Sequence, residues 1–176
     1  MINIKSVLTE DRNSTIDAGC LMAMFPDEYC KILNKYNEKL IPDKVLYIKD
    51  GEFGREKECH VTIKYGFKPD LTEIEIRRIL KEQKPFMIRL KSISQFNNEE
   101  FDVIKFDVES PTLVRLNNMA SKYPNDDKYP NYHPHSTIAY VKKGTFPYEK
   151  DGIKLYIPIK TICYSPILGE KSYFNL

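Results

Sequence analysis

Apolar residues recur along this chain in two rhythms, and the points where one gives way to the other mark its elements. Within residues 15–25 the run Ala18-Gly19-Cys20-Leu21-Met22-Ala23-Met24-Phe25 is continuously apolar and short, which predicts a buried strand. Pro26 and Asp27 then open a helix with Tyr29, Ile32, Leu33, Tyr36 and Leu40 on one face, and Pro42 ends it. Next come a short strand over residues 45–48, a polar loop containing Gly51 and Gly54 over residues 50–58, and a strand over residues 59–65. Thr72 and Glu75 have the spacing of a capping box ahead of Ile76, Ile79 and Leu80, so a second helix comes after them. Residues 86–90 and 101–108 alternate as half-buried strands, with Asn97-Asn98 suited to the turn between them. Ser110 and Pro111 supply the N-cap and first-turn proline of a third helix whose buried stripe is Leu113, Leu116 and Ala120. A loop rich in Pro, Asn and Tyr, residues 123–134, leads into a strand over residues 135–141, and strand-like runs cover residues 153–162 and 173–176.

This order predicts an α+β fold with an apparent internal duplication. At 176 residues the chain is read as one unit, residues 1–176, with residues 1–14 as an N-terminal extension. That extension mixes Lys5, Glu10, Asp11 and Arg12 and has no apolar stretch of a secretory signal, and no segment reaches the ~20 apolar residues of a membrane helix. A cytoplasmic protein, with no membrane among its partners, is the expectation. Cys20, Cys30, Cys59 and Cys163 are scattered without CxxC spacing, so they are expected as reduced thiols rather than zinc ligands or a disulfide framework. A formal charge of +2 is too small for binding long duplex nucleic acid, which rests on many phosphate contacts, but suits a small anionic ligand.

The duplication carries chemistry. His60-Val61-Thr62-Ile63-Lys64-Tyr65 and His135-Ser136-Thr137-Ile138-Ala139-Tyr140 match at histidine, threonine, isoleucine and tyrosine, in a chain with only 3 histidines. From background frequencies such a coincidence is on the order of one in ten thousand. In a regular strand, side chains two apart share a face, so His60 stands beside Thr62 and His135 beside Thr137. By the same parity Ile63, Tyr65, Ile138 and Tyr140 point to the opposite face and are expected to pack. Two imidazoles can share acid and base roles near neutral pH, and each threonine can donate its hydroxyl to a non-bridging phosphoryl oxygen. His60, Thr62, His135 and Thr137 are therefore the candidate catalytic set, and this chemistry calls for no metal and no cofactor.

Three more residues are candidates for substrate binding. Lys64 shares the parity of His60 and Thr62, so it either neutralises phosphate charge or is a solvated lysine at a strand end. Tyr132, like Tyr123, Tyr129 and Phe53, either stacks on a base or packs against its own loop. His133 lacks a threonine two residues on and reads as a loop residue or a contact behind the site.

On these two motifs the sequence resembles the LigT-like 2H phosphoesterase superfamily. The resemblance implies a bilobal fold, two pseudo-symmetric antiparallel sheets with flanking helices around a central cleft. It implies that His60 and His135 are the acid/base pair and that Thr62 and Thr137 hold the phosphate. Members act on 2',3'-cyclic phosphates, on 2'-5' linkages in RNA or oligoadenylate, and on cyclic oligonucleotide signals of antiviral defence. The tyrosine-bearing motifs are most similar to compact phage-encoded members, which include anti-CBASS nucleases; that subgroup implies a small cyclic oligonucleotide substrate and residence in a host cytoplasm. Two other readings stay open: a nucleotide-sequestering protein without turnover, and a metal site formed by His60, His133 and His135.

Overall fold

The computed structural model describes residues 18–49, 51–126, 131–145 and 153–176, so residues 1–14 and Tyr129 lie outside the described residues. Two four-stranded antiparallel sheets form the framework. The first contains β1 (Gly19–Met24), β4 (His60–Phe67), β9 (Thr161–Ser165) and β10 (Ser172–Asn175), in the order β10-β9-β1-β4. The second contains β5 (Phe86–Asn97), β6 (Phe101–Glu109), β7 (His135–Lys142) and β8 (Leu155–Ile159), in the order β7-β6-β5-β8. A hairpin of β2 (Ile48–Lys49) and β3 (Glu52–Phe53) forms a separate two-stranded sheet.

Among the described residues three α-helices join these strands: α1 (Asp27–Leu40), α2 (Glu73–Ile79) and α3 (Pro111–Ala120). Their starts are those the sequence predicts. Thr72 and Glu75 form a complete capping box on α2, and Ser110 Oγ accepts from the Leu113 backbone N–H ahead of Pro111 in α3. Each such cap contributes ~1 kcal/mol by satisfying donors that a helix leaves open. Leu33, Ile76, Ile79, Leu113 and Leu116 bury the helices in one apolar cluster that also takes Val61 and Ile63 from the first sheet and Ile104, Phe106 and Ile138 from the second.

The repeated unit is strand, helix, motif strand: β1-α1-β4 in the first sheet and β6-α3-β7 in the second. In each sheet the motif strand is terminal. The exposed edge of such a strand would be a row of unpaired backbone groups. Each edge is covered by the segment that leads into the other motif. Tyr140 N donates to Gly54 O, Tyr47 N to Tyr140 O and Glu56 N to Ile138 O, so residues 46–49 and 51–56, upstream of β4, cover β7. Conversely, Asp126 N donates to Gly66 O, Asn125 bridges Phe67 and Tyr132 Oη donates to Thr62 O, so the approach to β7 covers β4. Asn117 of α3 adds a buried side-chain bond to Ile63 O at 2.7 Å.

One expectation changes here. The apolar run over residues 153–162 is not one strand: it breaks at Lys160, with β8 paired to β5 in the second sheet and β9 paired to β1 in the first. The chain thus crosses from one sheet to the other within a run whose hydrophobicity gives no sign of it. No helix among the described residues is long and apolar enough to cross a membrane.

Candidate active site

Both motif histidines are held in the same way. His60 Nδ1 lies 2.6 Å from the Glu58 carbonyl and His135 Nδ1 lies 2.8 Å from the His133 carbonyl, in each case the residue two positions earlier. A carbonyl only accepts, so each Nδ1 carries hydrogen, and in the neutral ring Nε2 is the acceptor. The supporting carbonyls are fixed in turn. Glu56 Oε1 takes the N–H groups of Lys57 and Glu58, the Glu58 carboxylate is 2.6 Å from Lys171 Nζ, and Arg55 ties the loop to the Asn37 and Ile41 carbonyls at the end of α1. In the second motif Pro134 O accepts from Val108 N.

The two strands share a second device, which strand parity alone does not predict. In the β1–β4 ladder Met22 opposes Thr62 while Leu21 opposes Lys64, leaving Ile63 as an extra residue. In the β6–β7 ladder Lys105 opposes Thr137 while Ile104 opposes Ala139, leaving Ile138 extra. Both motifs therefore carry a β-bulge at the isoleucine, and a bulge reverses the parity of the residues beyond it. Two expectations are corrected by it. Tyr65 and Tyr140 return to the side of the histidines and threonines: Tyr65 packs on Cys20, Met22 and Cys163, and Tyr140 on Phe101 and Val103. Lys64, at 7% exposure, falls opposite the core residue Leu21, where Ala139 sits in the other repeat, and so leaves the face of His60 and Thr62.

Across each ladder the motif faces different neighbours. Met24 opposes His60 and Met22 opposes Thr62. At the equivalent positions of the second sheet Asp107 opposes His135 and Lys105 opposes Thr137. Lys105 Nζ is 2.5 Å from Asp107 Oδ1 and 2.6 Å from Ser94 Oγ, and the Asp107 carboxylate also accepts from Ser92 and Ser94. Partial burial of Asp107 favours its neutral form, but Lys105 and the two serines outweigh this and hold its pKa below the ordinary value. The sequence reading missed Lys105 and Asp107 because a polar residue at every second position of a strand reads as a solvated face. The available signal was their spacing, lysine and aspartate two apart on the strand before α3, where β1 has Met22 and Met24.

The remaining candidates divide. Tyr132 does not offer its ring for stacking: it packs against the core and its hydroxyl bonds to Thr62 O at 2.8 Å. Tyr123 also packs on the core, and Phe53 sits in an aromatic group with Tyr47, Phe101 and Tyr140. His133 is exposed and serves His135 through its backbone carbonyl. Among the described residues no three His, Cys, Asp or Glu side chains gather at a spacing that could hold a metal ion, so His60, His133 and His135 do not form such a group. A cavity of about 790 Å³ opens beside the His60 end of the first sheet, lined in part by Met24, Cys30, Phe53, Glu58, Lys160 and Tyr173.

Two antiparallel sheets, each presenting a His-x-Thr strand from the same strand-helix-strand unit, give the architecture of the 2H phosphoesterase class. The family model of the 2'-5' RNA ligase superfamily matches residues 44–151, and the chain belongs to that superfamily. Among solved structures it is similar to LigT of E. coli complexed with 3'-AMP, with 15% identity, a TM-score of 0.60, and 90% of this chain and 94% of that chain covered. TT0787 of Thermus thermophilus gives 18% identity and a TM-score of 0.58 over 90% of this chain and 94% of that chain. At these identities the likeness is one of fold. A search of curated protein sequences gives no match.

Proposed function

We propose that the chain is a metal-independent phosphodiesterase that cleaves small cyclic oligonucleotides, and so degrades cyclic nucleotide signals of antiviral defence. The observation that carries the catalytic part is the matched pair of imidazoles, each oriented through Nδ1 by the carbonyl two residues before it, and each beside a threonine. One Nε2 takes the proton of the attacking oxygen while the other imidazole, protonated, gives its proton to the leaving oxygen. The hydroxyls of Thr62 and Thr137 donate to the non-bridging oxygens, where charge grows in the transition state. The cavity beside His60 offers room for a nucleoside flanking the phosphate. The cyclic substrate rests on the likeness of the tyrosine-bearing motifs to those of anti-CBASS nucleases.

A second reading, hydrolysis of 2',3'-cyclic phosphates or 2'-5' linkages at RNA ends or in oligoadenylate, is favoured by the family match. LigT of E. coli has been crystallised with 3'-AMP, ATP and NADP+, so a relative in fold accepts small nucleotides. The deciding experiment is incubation with cyclic dinucleotides and trinucleotides, 2'-5' oligoadenylate and 2',3'-cyclic nucleotides in EDTA, resolved by mass spectrometry. Linearised cyclic oligonucleotides are the expected product. Cleavage confined to 2'-5' or 2',3'-cyclic substrates selects the second reading, and tight binding without turnover selects a sequestering protein.

A further inference from the structure

We propose that Lys105, Asp107 and Phe96 are positioning residues that fix the imidazole of His135; the inference rests on the catalytic role given to that histidine above. The Lys105 side chain is only 6% exposed and pairs with Asp107, whose side chain keeps 36% exposure. Withdrawing the lysine charge from water is costly, and an apolar residue of similar volume often serves a fold equally well or better. This fold supplies its own control. The equivalent positions in the first repeat are Met22 and Met24, in the same register against Thr62 and His60, so the architecture itself does not require an ion pair there.

The contacts of the pair lead to the histidine. Lys105 Nζ lies 4.4 Å from the centre of the Phe96 ring, and that ring meets the His135 ring at 5.0 Å with the planes at 89°. The Phe96 ring thus meets both the ammonium and the imidazole, while Ser94 and Asp107 hold the ammonium by hydrogen bonds. The His135 ring is then held by the perpendicular Phe96 ring and by the His133 carbonyl at Nδ1. The asymmetry between repeats has a reason in burial. His60 is 6% exposed, whereas His135 is only half-buried and has the Phe96 ring against it.

The test copies the first repeat into the second: K105M/D107M removes both charges together, so neither is left buried alone. The expected result is a thermal midpoint equal to or above that of the parent protein, with kcat lowered at least about tenfold while KM moves much less. Nitrogen-detected NMR of the rings should show His135 losing its single Nδ1–H tautomer in this variant, with His60 unchanged. F96A should reproduce both effects, and F96Y should restore them. A variant that unfolds would assign the pair to the scaffold and overturn the proposal. So would kcat and His135 ring signals equal to those of the parent. If the parent protein turns over no phosphodiester at all, the catalytic reading falls, and the ring spectra alone then decide whether His135 is positioned by this group.

Discussion

Tyr132 donates its phenolic hydrogen to the backbone carbonyl of Thr62, fastening the approach to one motif onto the strand of the other at 2.8 Å. Burial lifts this phenol above its ordinary pKa, so it remains a donor throughout the pH range in which the protein is folded. Replacement by phenylalanine keeps the packing and strips a carbonyl of its partner, which costs ~1–3 kcal/mol. Y132F should therefore lower the thermal midpoint and reduce kcat by disturbing Thr62. Unchanged stability in urea titrations would show that water replaces the hydroxyl at no cost.

Removing either imidazole tests the catalytic reading directly. H60A and H135A should each lower kcat by ~10²–10⁴-fold, with circular dichroism confirming the fold. The parent protein should show a bell-shaped dependence of rate on pH, since one ring must be neutral and the other protonated. A loss of less than tenfold in either variant removes that residue from the mechanism.

The threonines are predicted to act on rate more than on binding. T62V and T137V keep the β-branched shape and delete the donor, and loss of one such donor costs ~10²-fold in kcat. Initial-rate kinetics separate the outcomes: a raised KM with kcat intact would make these hydroxyls ground-state contacts only.

Asp107 sets an acid limit. Its pKa is depressed in the folded protein, so its contribution is fully present above the ordinary aspartate value of ~3.9 and is lost as pH falls through the lower folded value. Thermal midpoints should therefore fall in this acid window more steeply for the parent protein than for D107N. Parallel curves would mean that other carboxylates set the acid limit.

Cys30 should be the reactive thiol. The neighbouring Cys59 thiol lowers its pKa against the opposing effect of burial, while Cys59, deeper in the protein and donating to Asn34 Oδ1, is pushed up and keeps its proton. Cys30 is half-buried and lines the cavity beside His60; Cys59 lines it too but is buried, as are Cys20 and Cys163. Alkylation of the native protein should label Cys30 first, with a rate that rises at lower pH than an ordinary thiol requires. C59A should move that rise to higher pH, and peptide mapping that finds another cysteine labelled first would refute the assignment.

What could be read from the sequence was what short-range rules govern. The caps of α2 and α3 lie within four residues of the helices they start, and the His-x-Thr repeats announce themselves by identity. The positions of Tyr65, Tyr140 and Lys64 were misread because parity assumes a regular strand, and a bulge is visible only once the partner strand is in place. Lys160 was missed for a related reason: β8 and β9 are equally apolar, and only their partners show that the chain changes sheets between them. The Lys105–Asp107 pair belongs to the same category, since a charged residue on a strand is solvated or buried according to what the rest of the chain places over it.

The reciprocal closure of the two motif strands bears on how a duplicated protein of this kind is built. A lone repeat would present one bare hydrogen-bonding margin and one dangling arm of the shape needed to seal it. Such a fragment can satisfy both only by trading arms with a second copy of itself, as domain-swapped dimers do. Joining two repeats in tandem makes that exchange intramolecular, so neither repeat is expected to stand alone as a module.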